Sequence, residues 1–183
     1  MGRKAIRQEE RRARTVAALL RAARWSFACH GYEHSSLDSI AASAELSKGA
    51  VYVHFATKQQ LFMAIAEEAL EDARDRMMLL LSQRPLPADA SVCASAYFAS
   101  DGSDALHVGL VFEVWRVALV DAAVRTMLNC YQVWRRNQLS GLRGEPWADL
   151  VSRLIDGELS ERRLRRDEPD RAQVAAFAAA GAS

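Results

Sequence analysis

Residues 36–55, SLDSIAASAELSKGAVYVHF, constrain this chain more than any other stretch. Leu37, Ile40, Ala41 and Ala44 recur at the i, i+3, i+4, i+7 spacing of a short helix with one buried face. Ser35 or Ser36 suits its N-cap, because a hydroxyl can satisfy the amides of a first turn. Leu46 and Ser47 interrupt the pattern, and Ser47 caps a second helix that opens Lys48-Gly49-Ala50. Placing Val51 inward, at about 100° per residue, turns Gly49, Ala50, Tyr52 and Val53 outward. Small and apolar groups with one tyrosine make a poor solvent face but a suitable one for lying against a partner.

The net charge of +1 over 183 residues hides an asymmetry. Residues 1–60 hold ten Lys/Arg against five acids, a net +5. Subtraction from the totals of 24 and 23 leaves 14 basic and 18 acidic residues in 61–183, a net −4. A basic head on an acidic body points to a polyanion partner for the head alone. Cys29, Cys93 and Cys130 are odd in number, far apart and in no CxxC pair, which fits a reducing cytoplasm and argues against a disulfide framework or structural zinc. Residues 1–14 lead into a charged helix rather than an apolar signal segment, and no stretch approaches the roughly 18 apolar residues of a membrane span.

Residues 1–10 read as a mobile basic arm. Arg11 to His30 is a helix with Val16, Leu19, Leu20, Ala23 and Phe27 on one stripe, ended by Gly31 at a position that needs positive φ. Thr57 and Gln60 form a capping box that opens a long helix through Leu61, Ile65, Ala69, Ala73, Met77 and Leu80 or Leu81. About 25 residues of helix span nearly 40 Å, enough to join a small head to a second domain. Arg84-Pro85-Leu86-Pro87 breaks that helix. Further helices are predicted from Ser91 to Ala99, from Asp104 to Val120, from an Asp121 cap to an interruption at Gly141–Gly144, and from Pro146. Arg162 to Arg166 reads as a charged connector and Asp167 to Ala180 as a last helix. With no credible strand and no internal repeat, the fold class is all-α.

Competing chemistry is weak. Cys29, His30 and His34 straddle a helix end without metal-ligand spacing, no nucleophile elbow is present, and Gly141 to Gly144 is no phosphate loop. Neither an enzyme nor a metal or cofactor site is expected.

The stretch GYEHSSLDSIAASAELSKGAVYVHFATKQQLF resembles the DNA-binding segment of TetR-type transcriptional repressors. The matching pieces are Gly31-Tyr32, Ser35-Ser36, Ile40-Ala41, Ser47-Lys48-Gly49, Tyr52, His54-Phe55, Lys58 and Leu61. Family members commonly carry glycine where this chain has Glu45, and a non-glycine residue at positive φ costs roughly 1 kcal/mol. The resemblance implies a three-helix helix-turn-helix domain over 13–73, with its motif at 36–55, joined by a long helix to a helical ligand-binding and dimerisation domain over 74–183. It implies that the helix from Ser47 to His54 reads the major groove of double-stranded DNA. Ser36, Ser47, Lys48, Tyr52, His54 and Lys58 would then grip phosphates, with Ser35 in the same contact set. Gly49 would allow close backbone approach, Ala50 and Val53 would press on thymine methyls, and Val51 and Phe55 would be core.

For the body, the resemblance implies a small-molecule effector and a homodimer. Phe98, Phe112, Trp115, Met127, Tyr131 and Trp134 are candidates to line an apolar pocket, with Glu113, Arg116 and Asn129 as its polar groups. Glu113 and Arg116, three apart on an apolar helix, either neutralise each other or face a ligand. Trp147, Leu150, Val151, Leu154, Ile155 and Leu159 are candidates for the dimer interface. The implied protein is a cytoplasmic, non-membrane repressor released from a palindromic operator by its effector. The alternatives are an activator or ligand-independent regulator of the same fold, or a helical small-molecule-binding protein with a vestigial head.

Overall fold

The computed structural model describes residues 2–83, 85–98 and 105–164, of which 2–6 and 164 are described in backbone only. Over these residues it is all helix: α1 Gly2–His34, α2 Leu37–Ser43, α3 Lys48–Tyr52, α4 Lys58–Ser82, α5 Ala90–Phe98, α6 Ala105–Ala118, α7 Ala122–Arg143 and α8 Glu145–Leu164. The chain divides into two compact units, with the boundary between Ile65 and Ala66 inside α4. No helix of the described residues is long and apolar enough to cross a membrane.

In the N-terminal unit the predicted stripe of α1 forms the core. Leu19, Ala23 and Phe27 are buried, as are Ile40 and Ala41 of α2, Val51 of α3 and Leu61, Phe62 and Ile65 of α4. Phe27 meets Phe62 edge-on with centroids 5.1 Å apart, and Tyr32 meets the same ring at 4.9 Å. Gly31 has φ 81°, so α1 kinks where a residue with a Cβ would be strained. The expectation of an irregular arm is corrected, since residues 2–10 continue α1 toward the N-terminus.

Thr57 accepts from the Gln60 amide at 3.1 Å, but the Gln60 side chain reaches back to the amide of Ala56 at 2.9 Å rather than to that of Thr57. The capping box therefore closes one residue wide. Ile65, Ala69, Ala73, Met77 and Leu80 form the predicted buried stripe of α4.

The C-terminal unit packs Met77 and Leu80 with Cys93, Ala94 and Tyr97 of α5, Val108 and Val111 of α6, Leu139 of α7, and Val151 and Ile155 of α8. Asp89 caps α5 by accepting from the amides of Ser91 and Val92 and from the Ser91 hydroxyl, a cap not expected from sequence. Those bonds, the Ser91 hydroxyl foremost, hold its carboxyl below the usual aspartate value. Asp121 caps α7 as predicted. Gly141 lies inside α7, and only Gly144, at φ 82°, ends it. Arg162 and Arg163, expected in a connector, are the last turn of α8. The helix expected over 167–180 and the turn expected over 100–103 lie outside the described residues.

Candidate nucleic-acid interface

The α2–α3 hairpin is built from caps. Ser36 takes the N-cap of α2 and accepts from the Ser39 amide at 3.0 Å, while the Ser39 hydroxyl accepts from the Ser36 amide at 3.1 Å. Two orphan amides are thus satisfied reciprocally. At the other end the Leu46 amide reaches the Ala41 carbonyl at 2.9 Å and the Glu45 amide reaches that of Ala42 at 3.1 Å. This paired closure puts the residue between the helices in the left-handed region. That residue is Glu45, at φ 56°, so the strain expected from its departure from glycine is present.

Ser47 then starts α3, accepting from the Ala50 amide at 3.2 Å. Val51 is fully buried. Gly49 and Val53, about 160° round the helix from Val51, point the other way. Val53 is 72% and Tyr52 52% exposed. Gly49 is also exposed, and a Cβ built on it would meet nothing within 4 Å. Packing therefore does not require glycine at this position. Ala50, His54 and Phe55 are half-buried, so the expectation that Phe55 is enclosed is corrected to partial cover.

The structure divides the expected phosphate-gripping groups. Ser36, Ser47, Lys48 and Tyr52 are exposed. Ser35 is corrected: it is buried, donates to the Gly31 carbonyl at 2.8 Å and shares a 2.8 Å bond with the Ser26 hydroxyl. Lys58 is corrected as well. Its ammonium donates to the Tyr32 carbonyl at 2.8 Å and stands 4.2 Å from the centroid of the Tyr32 ring. It therefore ties α4 to the last turn of α1, beyond the Gly31 kink.

Lys48 has a partner that sequence reasoning missed. Its ammonium lies 2.5 Å from Asp38 of α2, with 68% and 48% of the two side chains exposed. The hydrogen bond from Lys48 to Asp38, then the Asp38 charge, raise the lysine above its ordinary value. Positions 38 and 48 are brought together only by the hairpin turn, so helical spacing could not reveal the pair.

A three-helix unit with a short, capped and outward-facing second helix is a helix-turn-helix. Residues 19–65 match the family model described as bacterial regulatory proteins, tetR family. The N-terminal unit is a TetR-family domain. The chain is also similar to the HTH-type transcriptional repressor AcnR of Corynebacterium efficiens, 40% identical over 50 residues that make up 27% of each chain. The AcnR of Corynebacterium diphtheriae is likewise 40% identical over 50 residues, 27% of this chain and 26% of that one. The match thus spans about a quarter of the length of these curated relatives. For the fold of the whole chain, a transcriptional regulator from Streptomyces coelicolor A3(2) superposes with a TM-score of 0.66 at 20% identity, covering 92% of this chain and 96% of that one. A TetR/AcrR-family regulator from Aquifex aeolicus VF5 gives 0.57 at 19% identity, covering 83% and 86%.

In the C-terminal unit, several expectations are revised. Glu113 is buried, and Arg116 grips it with two bonds of 3.0 and 2.7 Å. Of the two readings for that pair, mutual neutralisation is the one observed. Asn129 is exposed, so it is not a polar group of an enclosed pocket. Phe98 and Tyr131 are buried, while Phe112, Trp115, Met127 and Trp134 are half-buried. Trp134 stacks on Tyr131 with centroids 6.1 Å apart.

The interface expectation changes most. Val151, Ile155 and Leu159 are sealed inside their own unit, because α8 turns that stripe toward α5, α6 and α7. Trp147 is half-buried, its indole N–H donating to the Ala88 carbonyl at 2.9 Å. Leu154 is half-buried as well, and of the six only Leu150 is exposed.

Sequence reasoning also missed a buried pair. Arg135 of α7 meets Asp156 of α8 at 2.8 and 2.9 Å, with 3% of the arginine side chain exposed. Burial alone would lower Arg135, but the Asp156 hydrogen bond and charge outweigh it and the guanidinium is held above its ordinary value. These residues stand 21 apart on different helices, beyond any local pattern.

Proposed function

We propose that the chain is a sequence-specific, DNA-binding transcriptional regulator of the cytoplasm. As a homodimer it reads a palindromic operator with α3, represses from that site, and leaves it when a small-molecule effector enters the helical body. The observation that carries this reading is the outer face of α3. Gly49, Tyr52 and Val53 are exposed there although none is a good solvent residue, and the fold itself has room for a side chain at Gly49. A major groove about 12 Å wide admits a helix, and a glycine lets its backbone come close. The face offers few side chains able to bond two atoms of a base, so apolar contacts and DNA deformability supply much of the specificity. A two-fold assembly would make the site an inverted repeat with half-sites about one helical turn or more apart.

Selection of bound sites from random duplex DNA by the purified protein tests the reading. Recovery of an inverted repeat supports a dimeric reader, whereas failure to enrich any sequence above input overturns it. A ligand-independent regulator is the second reading, favoured by one observation: Glu113 and Arg116, the polar groups best placed to orient an effector, are bound to each other.

A further inference from the structure

The first turns of α1 carry an exposed run of charged side chains. Every residue from Arg7 to Arg14 is exposed, and the first buried position among the described side chains of α1 is Leu19. On a helical projection at about 100° per residue, Arg7, Arg11, Arg14 and Arg21 fall within about 40° of one line, while Ala23 and Phe27 of the core lie on the far side. All four arginines are exposed, and none forms an ion pair among the described residues. Glu10 borders the ridge and Glu9 lies behind it. From Arg7 to Arg21 the ridge runs about 21 Å at roughly 1.5 Å per residue.

Such a segment is costly to keep. Its side chains are exposed from Arg7 to Arg14, and the like charges of Arg7, Arg11 and Arg14, three and four residues apart, oppose the helix by a few tenths of a kcal/mol per pair, which Glu10 offsets only in part. A polyanion laid along the ridge would convert that repulsion into attraction. The eight residues from Arg7 to Arg14 contain one apolar side chain, Ala13, so the segment has no face for inserting into lipid or for docking in an apolar groove. Guanidinium groups match phosphate oxygens with two parallel bonds.

We propose that the N-terminal turns of α1 are a second DNA-contacting element, in which Arg7, Arg11 and Arg14 grip backbone phosphates of duplex flanking the segment read by α3. This inference rests on the DNA-binding reading above. The ridge contributes affinity and register but no base readout, because phosphates carry no sequence.

The test compares the full-length wild type with the triple variant Arg7→Gln/Arg11→Gln/Arg14→Gln, on a duplex selected by the wild type and carrying about a helical turn of flank on each side. Circular dichroism and Tm confirm folding of the variant, and an Arg-to-Lys triple variant controls for shape. With about 0.9 counterions released per phosphate contact, the slope of log K against log salt should fall by 2 to 3 per bound protomer in the Gln variant and stay near wild type in the Lys variant. Affinity at low salt should drop at least tenfold on selected and scrambled duplex alike. Trimming the flanks should weaken the wild type and leave the Gln variant indifferent.

A wild type that binds the selected duplex, with a variant of unchanged slope and affinity, would overturn the ridge and leave the regulator intact. So would a variant defective only in retention by vesicles of phosphatidylserine and phosphatidylcholine. A wild type that binds no duplex at all would sink both readings, so the two failures are distinguishable.

Discussion

Two ion pairs, one in each unit, use the same charges at nearly the same separation and do opposite work. Lys48 and Asp38 sit 2.5 Å apart in solvent. Arg135 and Asp156 sit 2.8 Å apart with the arginine almost wholly enclosed. In water the attraction is small and exchangeable, and exposed pairs contribute about 0 to 1 kcal/mol. In the interior Arg135 has lost nearly all of its hydration while Asp156 keeps a fifth of its side chain exposed, so for the arginine the partner becomes obligatory even where the pair as a whole adds little. The N-terminal pair can therefore be traded for a phosphate, while the C-terminal pair fixes α7 on α8.

The sharpest way to break this comparison is Asp156→Asn. It leaves the Arg135 guanidinium buried without a counter-charge, and the expected loss is about 3–5 kcal/mol in chemical denaturation. Replacing both residues together with well-packed apolar side chains should restore most of that loss. A single Asp156→Asn substitution with no measurable effect would mean that Arg135 escapes to water and that the pair is no more structural than its exposed counterpart.

Ser35→Ala comes next. It strands the Ser26 hydroxyl, which is buried beside it, and should cost about 1–3 kcal/mol. Affinity for duplex DNA should stay unchanged in the folded variant. If stability held and affinity fell, Ser35 would be a phosphate contact after all.

Two glycine exchanges within the hairpin separate folding from reading. Glu45→Gly removes the left-handed strain of a residue at φ 56° and should stabilise by up to about 1 kcal/mol, less what the freer unfolded chain takes back. Gly49→Ala enters open space and should also stabilise, by about 0.5–1 kcal/mol, as alanine does inside a helix. Yet it should weaken binding to selected duplex, because the added methyl lies on the face proposed to enter the groove. Equal or better binding by Gly49→Ala would remove the close approach on which the reading of α3 depends.

What could be seen in the sequence was what repeats or stops. The stripes of α1 and α4, the caps at Ser36, Ser47 and Asp121, the break after Ser82 and the outward face of α3 follow from periodicity and from hydroxyl, carboxylate and proline chemistry within a few residues. What stayed hidden joins distant positions. Lys48 finds Asp38 across a turn, Lys58 finds Tyr32 at a separation of 26 residues, and Arg135 finds Asp156 between helices. The error over Val151, Ile155 and Leu159 has the same origin. An apolar stripe states that something covers it, but not whether the cover is another helix of the same chain or a second copy. Lys58 shows the limit for sites, since a motif position does not reveal that its ammonium bonds the Tyr32 carbonyl.

The smallest effect in prospect tests the exposed pair directly. Asp38→Asn should leave the unfolding midpoint almost unmoved, because both side chains are largely solvated. Its effect should appear in binding instead. Asp38 occupies the Lys48 ammonium as a phosphate would, and its own charge repels the duplex. Removing it should raise affinity for selected and scrambled DNA by several-fold at low salt, with the gain fading as salt screens the surface. The pH dependence follows from the raised Lys48 value. The stability that the pair contributes is complete below the ordinary lysine value and is lost only as the pH climbs through the raised one. The gain from Asp38→Asn should therefore be constant between roughly pH 6 and 9. A gain that changed across that window would mean that the pair is not the group that sets it. A loss of affinity instead would mean that Asp38 orients Lys48 toward the phosphate rather than competing for it, and the exposed pair would be a positioning device like its buried counterpart.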